Sequence, residues 1–137
     1  MSLPVERAEA APLSREECLD LLAAAHFGRL AVHRGALPAI VPVNYALTPE
    51  GIVFATTRGS ELAAATDAAV VAFEAGDPPD LDIAGWSVLV VGLAAPITDP
   101  PEVLTARALP LRAPSGSDHF VRVTADLVSG HRTPAVR

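Results

Sequence analysis

The sequence predicts a mainly β protein: a small antiparallel barrel of six strands with two or three short helices. From about residue 28 onward, apolar residues recur with a period of two, which is the pattern of half-buried strands. Most connections between these segments are too short for the crossovers that parallel strands require. Gly92 lies inside the long fifth segment and predicts a bulge or sharp bend of the kind that barrel closure needs.

Length and composition indicate one folded domain. The chain has 137 residues, of which 50% are hydrophobic, and its mean hydropathy is +0.36. All ten basic residues are arginines, and they are scattered along the chain. There are sixteen acidic residues, so the formal net charge is −6. Nucleic-acid binding is therefore not expected, because neutralising phosphates requires clustered basic residues. A chain this short and apolar favours association with a second copy.

Nothing in the sequence indicates export or a membrane span. Cys18 has no cysteine partner within the chain, which suits a reducing compartment, and its helical position indicates a small core residue. The first residues lack the pattern of a signal peptide, and the apolar run at 88–97 is too short to cross a bilayer. We therefore expect a cytoplasmic protein.

The elements follow in order along the chain. Residues 1–13 are rich in Ala, Pro and Glu and predict a flexible arm, which leaves 14–137 as the single domain. Ser14 and Glu17 have capping-box spacing, so a helix begins there, and Gly28 ends it. Strands are predicted at 29–34, 38–47, 52–56, 69–74, 86–97 and 119–124; short helices at 60–65 and 101–109; loops at 77–82 and 113–118.

Several common kinds of site are absent from the sequence. The four histidines stand apart from one another and from Cys18, so no metal site is predicted. Ser117, Asp118 and His119 are consecutive, and consecutive residues cannot form the geometry of a hydrolytic triad. The two commonest phosphate-binding motifs, GxGxxG and the P-loop, are also missing.

One segment combines features that suit a terminal phosphate. A strand ends in hydroxyl side chains, a cation and a glycine follow, and a second hydroxyl begins a helix; the residues are Thr56, Thr57, Arg58, Gly59 and Ser60. Free amides at a helix start, hydroxyl donors and a guanidinium all bind anions. Taken alone, an ordinary strand, turn and helix cap explains these residues better, at roughly two to one.

Two further segments are candidates for contact with a flat ring. Pro42 lies inside a strand and must be at an edge or an irregularity, because it cannot donate to a ladder, and Val43 and Asn44 follow it. Asn44 alternates to the face opposite Val43 and Tyr45. The other segment is Trp86 and Ser87, although a lone tryptophan is also a normal core residue.

Taken in order, these segments resemble the flavin-binding split-barrel family typified by pyridoxamine 5'-phosphate oxidase. The similarity is greatest to its small bacterial members, which include nitroimidazole-resistance-type proteins. The similar pieces cover about residues 13–132: FGRLA at 27–31, PVNY at 42–45, FAT at 54–56 with GS at 59–60, VAFE at 71–74, and GWSVLVVG at 85–92.

The resemblance implies a six-stranded split barrel and a homodimer with two cofactor sites at the subunit interface. By this likeness, residues 56–60 surround the phosphate of FMN, and residues 42–44 line its ring. Trp86 and Ser87 approach from the barrel, and the segment 130–132 is similar to the family's Gly-Arg-Arg ending.

Glu61 departs from the family pattern, in which a lysine usually follows the Gly-Ser pair. A carboxylate near a phosphate is repulsive unless it turns to solvent or pairs with a cation such as Arg58. FMN is the cofactor expected, with a deazaflavin coenzyme or no cofactor as the alternatives.

The function expected is that of a flavin-dependent oxidoreductase acting on a small molecule that the sequence does not identify. No residue is assigned a catalytic role; Tyr45, His33 and His131 are the available side chains. The alternative is a non-catalytic protein, such as a cofactor carrier or sensor, that kept the barrel and lost the chemistry.

Overall fold

The computed structural model describes residues 10–136. Helix α1 spans Arg15–Ala24 and begins with the predicted capping box. The Glu17 amide donates to Ser14 Oγ at 3.1 Å, and the Ser14 amide donates to Glu17 Oε1 at 2.9 Å. Cys18 and Leu22 are fully buried, which confirms the predicted apolar face. Helices α2 and α3 span Glu61–Ala65 and Pro100–Arg107.

Nine strands, some very short, are present in the described part of the chain. They are β1 (Ala11–Pro12), β2 (Phe27–Arg34), β3 (Leu37–Asn44), β4 (Ala46–Thr48), β5 (Gly51–Thr56), β6 (Ala69–Asp77), β7 (Gly85–Pro96), β8 (His119–Thr124) and β9 (Leu127–Thr133). Every pair of neighbouring strands is antiparallel.

The sheet curls into the predicted six-stranded split barrel. Its strands follow the order β3-β2-β6-β7-β8-β5-β4. The two ends of this order, β3 and β4, are consecutive in the chain with only Tyr45 between them. Together they act as one bent strand, so the barrel closes through the chain itself. Strand β9 pairs with β7 outside this circuit, and β1 pairs with β9.

Tyr45 fixes the position at which that bent strand changes partners. Its side chain is 1% exposed, and its hydroxyl donates to the Leu22 carbonyl of α1 at 2.7 Å. Its ring meets Phe73 of β6 edge to face, with ring centroids 4.8 Å apart. Desolvation raises the pKa of Tyr45 to about 12, because the buried site disfavours the phenolate.

The alternation predicted for the strands sets the core. Inward-facing residues of β2, β3, β6, β7 and β8 fill the barrel with α1 against one side: Leu30, Val32, Val43, Phe73, Val88, Val90, Val121 and Val123. A second, smaller cluster lies under α3 and contains Val53, Ile97, Ala106 and Phe120. The interior of the barrel and the contact between α3 and the outside of the barrel are therefore two separate apolar clusters.

Of the bulge or sharp bend predicted at Gly92, the bulge is absent from the β6–β7 ladder. The β6–β7 register runs without interruption past Val71 and Gly92, so no bulge breaks that ladder. On its other edge, β7 pairs with β9 as far as Val91 and with β8 from Ala94. The Thr124 carbonyl approaches Gly92 where the partner changes, and a Cβ at this position would collide with it. The glycine permits close backbone approach.

Three boundaries differ from those predicted. Most of the predicted arm, residues 1–9, lies outside the described residues, but Ala11 and Pro12 pair with Arg132 and His131 of β9. The final strand β9 replaces the short terminal segment expected after residue 124. The strand predicted at 38–47 divides into β3 and β4. Within residues 10–136, no helix has the length and apolarity to cross a membrane.

Replacing Gly92 with Ala is expected to destabilise the protein by about 3 kcal/mol, the upper end of typical overpacking costs, because the new Cβ meets a ladder carbonyl. Gly35→Ala is the control. Gly35 has open space around it and a φ of +64°, so that variant should lose only about 1 kcal/mol. Urea unfolding at one protein concentration compares them, and equal losses would contradict the role given to Gly92.

Tyr45→Phe is expected to lower the free energy of unfolding at neutral pH by about 1 kcal/mol, since it removes one buried hydrogen bond. The wild-type protein should also lose stability as pH rises from about 10, the pKa of an unfolded tyrosine, to about 12, its folded value. A folded pKa above the unfolded one makes the phenolate favour unfolding. Denaturation against pH should show this loss reduced in the variant; parallel profiles would refute it.

Candidate functional site

The barrel opens where β3 and β5 separate. Asn44, the last residue of β3, pairs with Phe27 of β2, whereas Ala46 pairs with Val53 of β5. Upstream of Tyr45 the strand therefore follows β2, and downstream it follows β5. A gap is left between the edge of β3 and the end of β5. The predicted edge position of Pro42 is confirmed, because β3 pairs only with β2 in the described chain.

The turn after β5 has the local structure predicted for it. Ser60 begins α2, and its Oγ accepts a hydrogen bond from the Ala63 amide at 3.0 Å. The hydroxyls of Thr56 and Ser60 are 3.1 Å apart and share a hydrogen bond. Gly59 has a φ of +79°, a left-handed conformation that favours glycine. These contacts hold Thr56 and Ser60 together at one end of the gap.

A cleft of about 210 Å³ occupies the gap. Five of the ten predicted cofactor-binding residues line it, from both of its walls: Pro42, Val43, Asn44, Thr56 and Thr57. Ala55 and Leu62 complete the β5 side, and residues 112–114 with Ser117 cover it. Two segments chosen from the sequence for separate reasons thus lie on opposite sides of one cleft. Arg58, Gly59 and Ser60 continue the turn beside it.

Arg112 is the charged residue that lines the cleft, and it was not among the residues predicted from the sequence. It lies in the loop between α3 and β8. The loop predicted from the sequence covers only residues 113–118 and therefore leaves Arg112 out. Among residues 10–136, its guanidinium forms no hydrogen bond or ion pair with another group. The available signal was a single cation between Pro110 and Pro114, in a segment otherwise made of small and apolar residues.

A second cavity of about 180 Å³ adjoins the cleft. The two share Asn44 and Arg112, and His26, Tyr45 and Pro110 line the remainder. Asn44 and Arg112 therefore stand at the junction of two small spaces. Each space alone is below the roughly 300–1,000 Å³ usual for a site that holds a drug-sized ligand.

The carboxylate of Glu61 turns away from the cleft. It forms an ion pair with Arg34 at the end of β2, and not with Arg58 as considered from the sequence. Both side chains are largely exposed, so the pair has little effect on stability. The pair does change the local electrostatics, because the Arg34 guanidinium balances the negative charge of Glu61 next to Ser60. Arg58 is exposed and has no side-chain partner in the described chain.

Trp86 and Ser87 lie elsewhere in the same chain. They are in β7, which is separated from β3 by β2 and β6. Trp86 pairs with Arg132 and Ser87 pairs with His131, so the terminal segment noted in the sequence lies beside them. Trp86 also packs against the main core. One chain therefore carries the predicted residues in two groups, one at the cleft and one on β7 and β9.

The cleft offers donors and little acid–base chemistry. Asn44 provides an amide, Thr56 and Thr57 provide hydroxyls, Arg112 provides a guanidinium, and Pro42 and Val43 provide apolar surface. This set suits a flat ligand with a polar edge and an anionic group. In the described part of the chain, no group of three or more His, Cys, Asp or Glu residues could hold a metal ion.

Comparisons with known proteins give the family of the chain and its fold. A family model described as pyridoxamine 5'-phosphate oxidase matches residues 14–132. An uncharacterised protein of Mycobacterium tuberculosis is 38% identical over 141 residues, covering 96% of this chain and 91% of that protein. The structure of the FAD-binding protein from Mycobacterium smegmatis is 32% identical with a TM-score of 0.77, covering 89% of this chain and 96% of that one.

A candidate 5-nitroimidazole antibiotic resistance protein from Bacteroides thetaiotaomicron is 11% identical with a TM-score of 0.71, over 90% of this chain and 88% of that one. This likeness shows a shared fold. The family model spans most of the sequence, and the 38% identity extends over nearly the whole of both chains. The chain therefore belongs to the pyridoxamine 5'-phosphate oxidase family and has its split-barrel fold.

Proposed function

We propose that the protein binds a flavin, FMN, in the cleft between β3 and β5 and acts as a flavin-dependent oxidoreductase. The observation that carries the proposal is the meeting of the Pro42–Asn44 edge, the Thr56–Thr57 hydroxyls and Arg112 in one cleft. Family membership and the M. smegmatis relative, which is an FAD-binding protein, support a flavin as the class of ligand. A bound flavin supplies hydride or electron transfer, and the protein supplies binding and orientation.

The donor set of the cleft fits the two ends of FMN. Asn44 can both donate to and accept from the polar edge of the ring, and Pro42 and Val43 offer apolar contact to its face. Thr56 and Thr57 donate hydroxyl hydrogens to a phosphate, and Arg112 or Arg58 adds positive charge. The pairing of Glu61 with Arg34 removes the main electrostatic objection to a phosphate at this turn.

A homodimer would complete the site. Each cavity is small for a flavin, and Trp86 and Ser87 of the same chain line neither of them. We propose that a second copy brings its Trp86 and Ser87, with the neighbouring His131 and Arg132, to this cleft. One arrangement then unites both groups of residues.

The outer face of the sheet supports such a dimer. One row of directly paired, outward-facing residues crosses five strands and is apolar throughout: Ile40, Ala31, Ala72, Val91 and Leu127. Ile40 is 71% exposed and Leu127 is 68% exposed. An outward-facing apolar row of this kind suits an interaction surface, although Ala72 and Val91 within it are only partly exposed. Ile40 lies two residues from Pro42, so the row continues to the edge of the cleft.

Titration with FMN and with FAD, followed by absorbance and fluorescence, tests the cofactor. Arg112→Ala should raise the Kd for FMN by roughly 10- to 150-fold, the effect of losing a hydrogen bond to a charged group. Arg107→Ala is the matched control, since Arg107 is exposed on α3 and lines neither cavity of the cleft. The control should bind as the wild type does.

Equal affinity of the two variants would contradict the place given to the phosphate. Tighter binding of FAD than of FMN would show that the cofactor is FAD, and the proposal that the cleft binds a flavin would stand. Reduction of the bound flavin by a chemical reductant, followed by its reoxidation with an electron acceptor, tests the redox function. A flavin that binds and does not cycle would indicate the non-catalytic carrier, and absence of binding, including of a deazaflavin, would refute the proposal.

Ile40→Glu should shift the protein from dimer towards monomer in analytical ultracentrifugation, because it places a charge in the apolar row. Leu104→Glu is the control, as Leu104 is 65% exposed on α3 and lies outside the row. The Ile40 variant should also bind FMN more weakly, since the partner's half of the site is lost with the dimer. A wild-type monomer, or an equal shift in both variants, would refute this arrangement.

A further inference from the structure

A cavity under α3 is separate from the flavin cleft. It has a volume of about 260 Å³, larger than either cavity of the cleft, and shares no lining residue with them. Its walls come from α3, from the β4–β5 hairpin and from the outer face of β5 and β8. The lining residues are Leu47, Thr48, Pro49, Glu50, Val53, Ile97, Glu102, Thr105, Ala106, Leu109 and Arg122.

The sheet places Arg122 at the base of this cavity. Arg122 of β8 pairs directly with Val53 of β5, so both side chains share the outer face over which α3 lies. Ala106 of α3 is 3% exposed and packs above them in the smaller core cluster. Arg122 thus lies on the floor of a space that α3 covers on one side, and that space is lined by apolar side chains and by Glu50 and Glu102.

The guanidinium of Arg122 has few partners for its degree of burial. Its side chain is only 22% exposed. It donates through Nη1 to Glu102 Oε1 at 3.4 Å, a long hydrogen bond, and its Nε is buried without an acceptor in the described chain. Arginine carries five N–H donors, and a buried donor without an acceptor is costly. Nη2 forms no hydrogen bond in the described chain and is not among the buried unpartnered atoms, so it offers a donor to an acceptor that enters the cavity.

The charges around the cavity restrict the kind of acceptor. Glu50 and Glu102 line it together with Arg122, so the formal charge of its walls is negative. A carboxylate or phosphate ligand would face two carboxylates. Apolar side chains form much of the remaining wall, including Leu47, Ile97 and Leu109. The ligand that suits these walls is uncharged, mostly apolar, and has one oxygen that accepts a hydrogen bond.

We propose that this cavity is a second binding site, for a small uncharged organic molecule whose carbonyl oxygen accepts a hydrogen bond from Arg122. An apolar cavity of about 150 Å³ holds benzene, so 260 Å³ admits an aromatic ring with a short substituent. The two sites share no lining residue.

Three probes of similar shape test the proposal without altering the protein. Acetophenone has the ring and the carbonyl, ethylbenzene lacks the oxygen, and benzoate adds a negative charge. In ¹⁵N–¹H NMR titrations, acetophenone should shift the amides of Val53 and Ala106 saturably and leave those of Asn44 and Thr56 unchanged. Ethylbenzene and benzoate should each bind at least about fivefold more weakly.

Two substitutions locate the site. Ala106→Leu fills the cavity and should abolish the acetophenone shifts, whereas Ala108→Leu, at an exposed position outside the cavity, should leave them unchanged. The proposal is overturned if acetophenone shifts cleft residues instead, if its shifts do not saturate, or if ethylbenzene binds equally well. The comparison of probes decides the question even if the Ala106 variant does not fold.

Discussion

One strand has to pair with two partners, and the rest of the molecule is arranged around that constraint. Residues 37–48 form a single path that follows β2 up to Asn44 and β5 from Ala46. Tyr45 holds the change of partner in place by three contacts. Its amide donates to the His26 carbonyl, its hydroxyl donates to the Leu22 carbonyl, and its ring packs on Phe73. The same change of partner closes the barrel and opens the cleft.

Much of the fold follows from local sequence patterns. The capping box at Ser14, the alternation of Val41, Val43 and Tyr45, and the Ser60 cap each depend on residues close together in the chain, so the sequence predicts them. The sequence does not predict strand β9, because the buried position at the centre of its pattern is Gly130, which has no side chain to reveal the alternation. The need for glycine at position 92, where β7 changes partner, comes from the Thr124 carbonyl, which lies thirty-two positions away in the sequence. No local sequence pattern predicts that contact.

The candidate site also contains some residues that the sequence predicts and others that only the tertiary structure reveals. Local features of the sequence make Thr56, Thr57 and the Pro42–Asn44 edge candidates, and the family resemblance decides in their favour. The sequence does not identify Arg112, whose position over the cleft is set by where a loop crosses the barrel. The cation paired with Glu61 likewise comes from the far end of β2. Charge placement therefore depends on tertiary structure even where the backbone is predictable.

The pairing of early strands with late ones affects how the protein is made. Strand β5 gains its second neighbour only when β8 forms, and β1 pairs with nothing in the described chain except β9. At a translation rate of roughly 5–20 residues per second, β5 emerges from the ribosome several seconds before residues 119–124. During that interval the β4–β5 hairpin and the β3-β2-β6-β7 sheet each present an unpaired edge, the feature by which nascent chains aggregate. Those edges stay open to pairing with other chains until the last strands are translated.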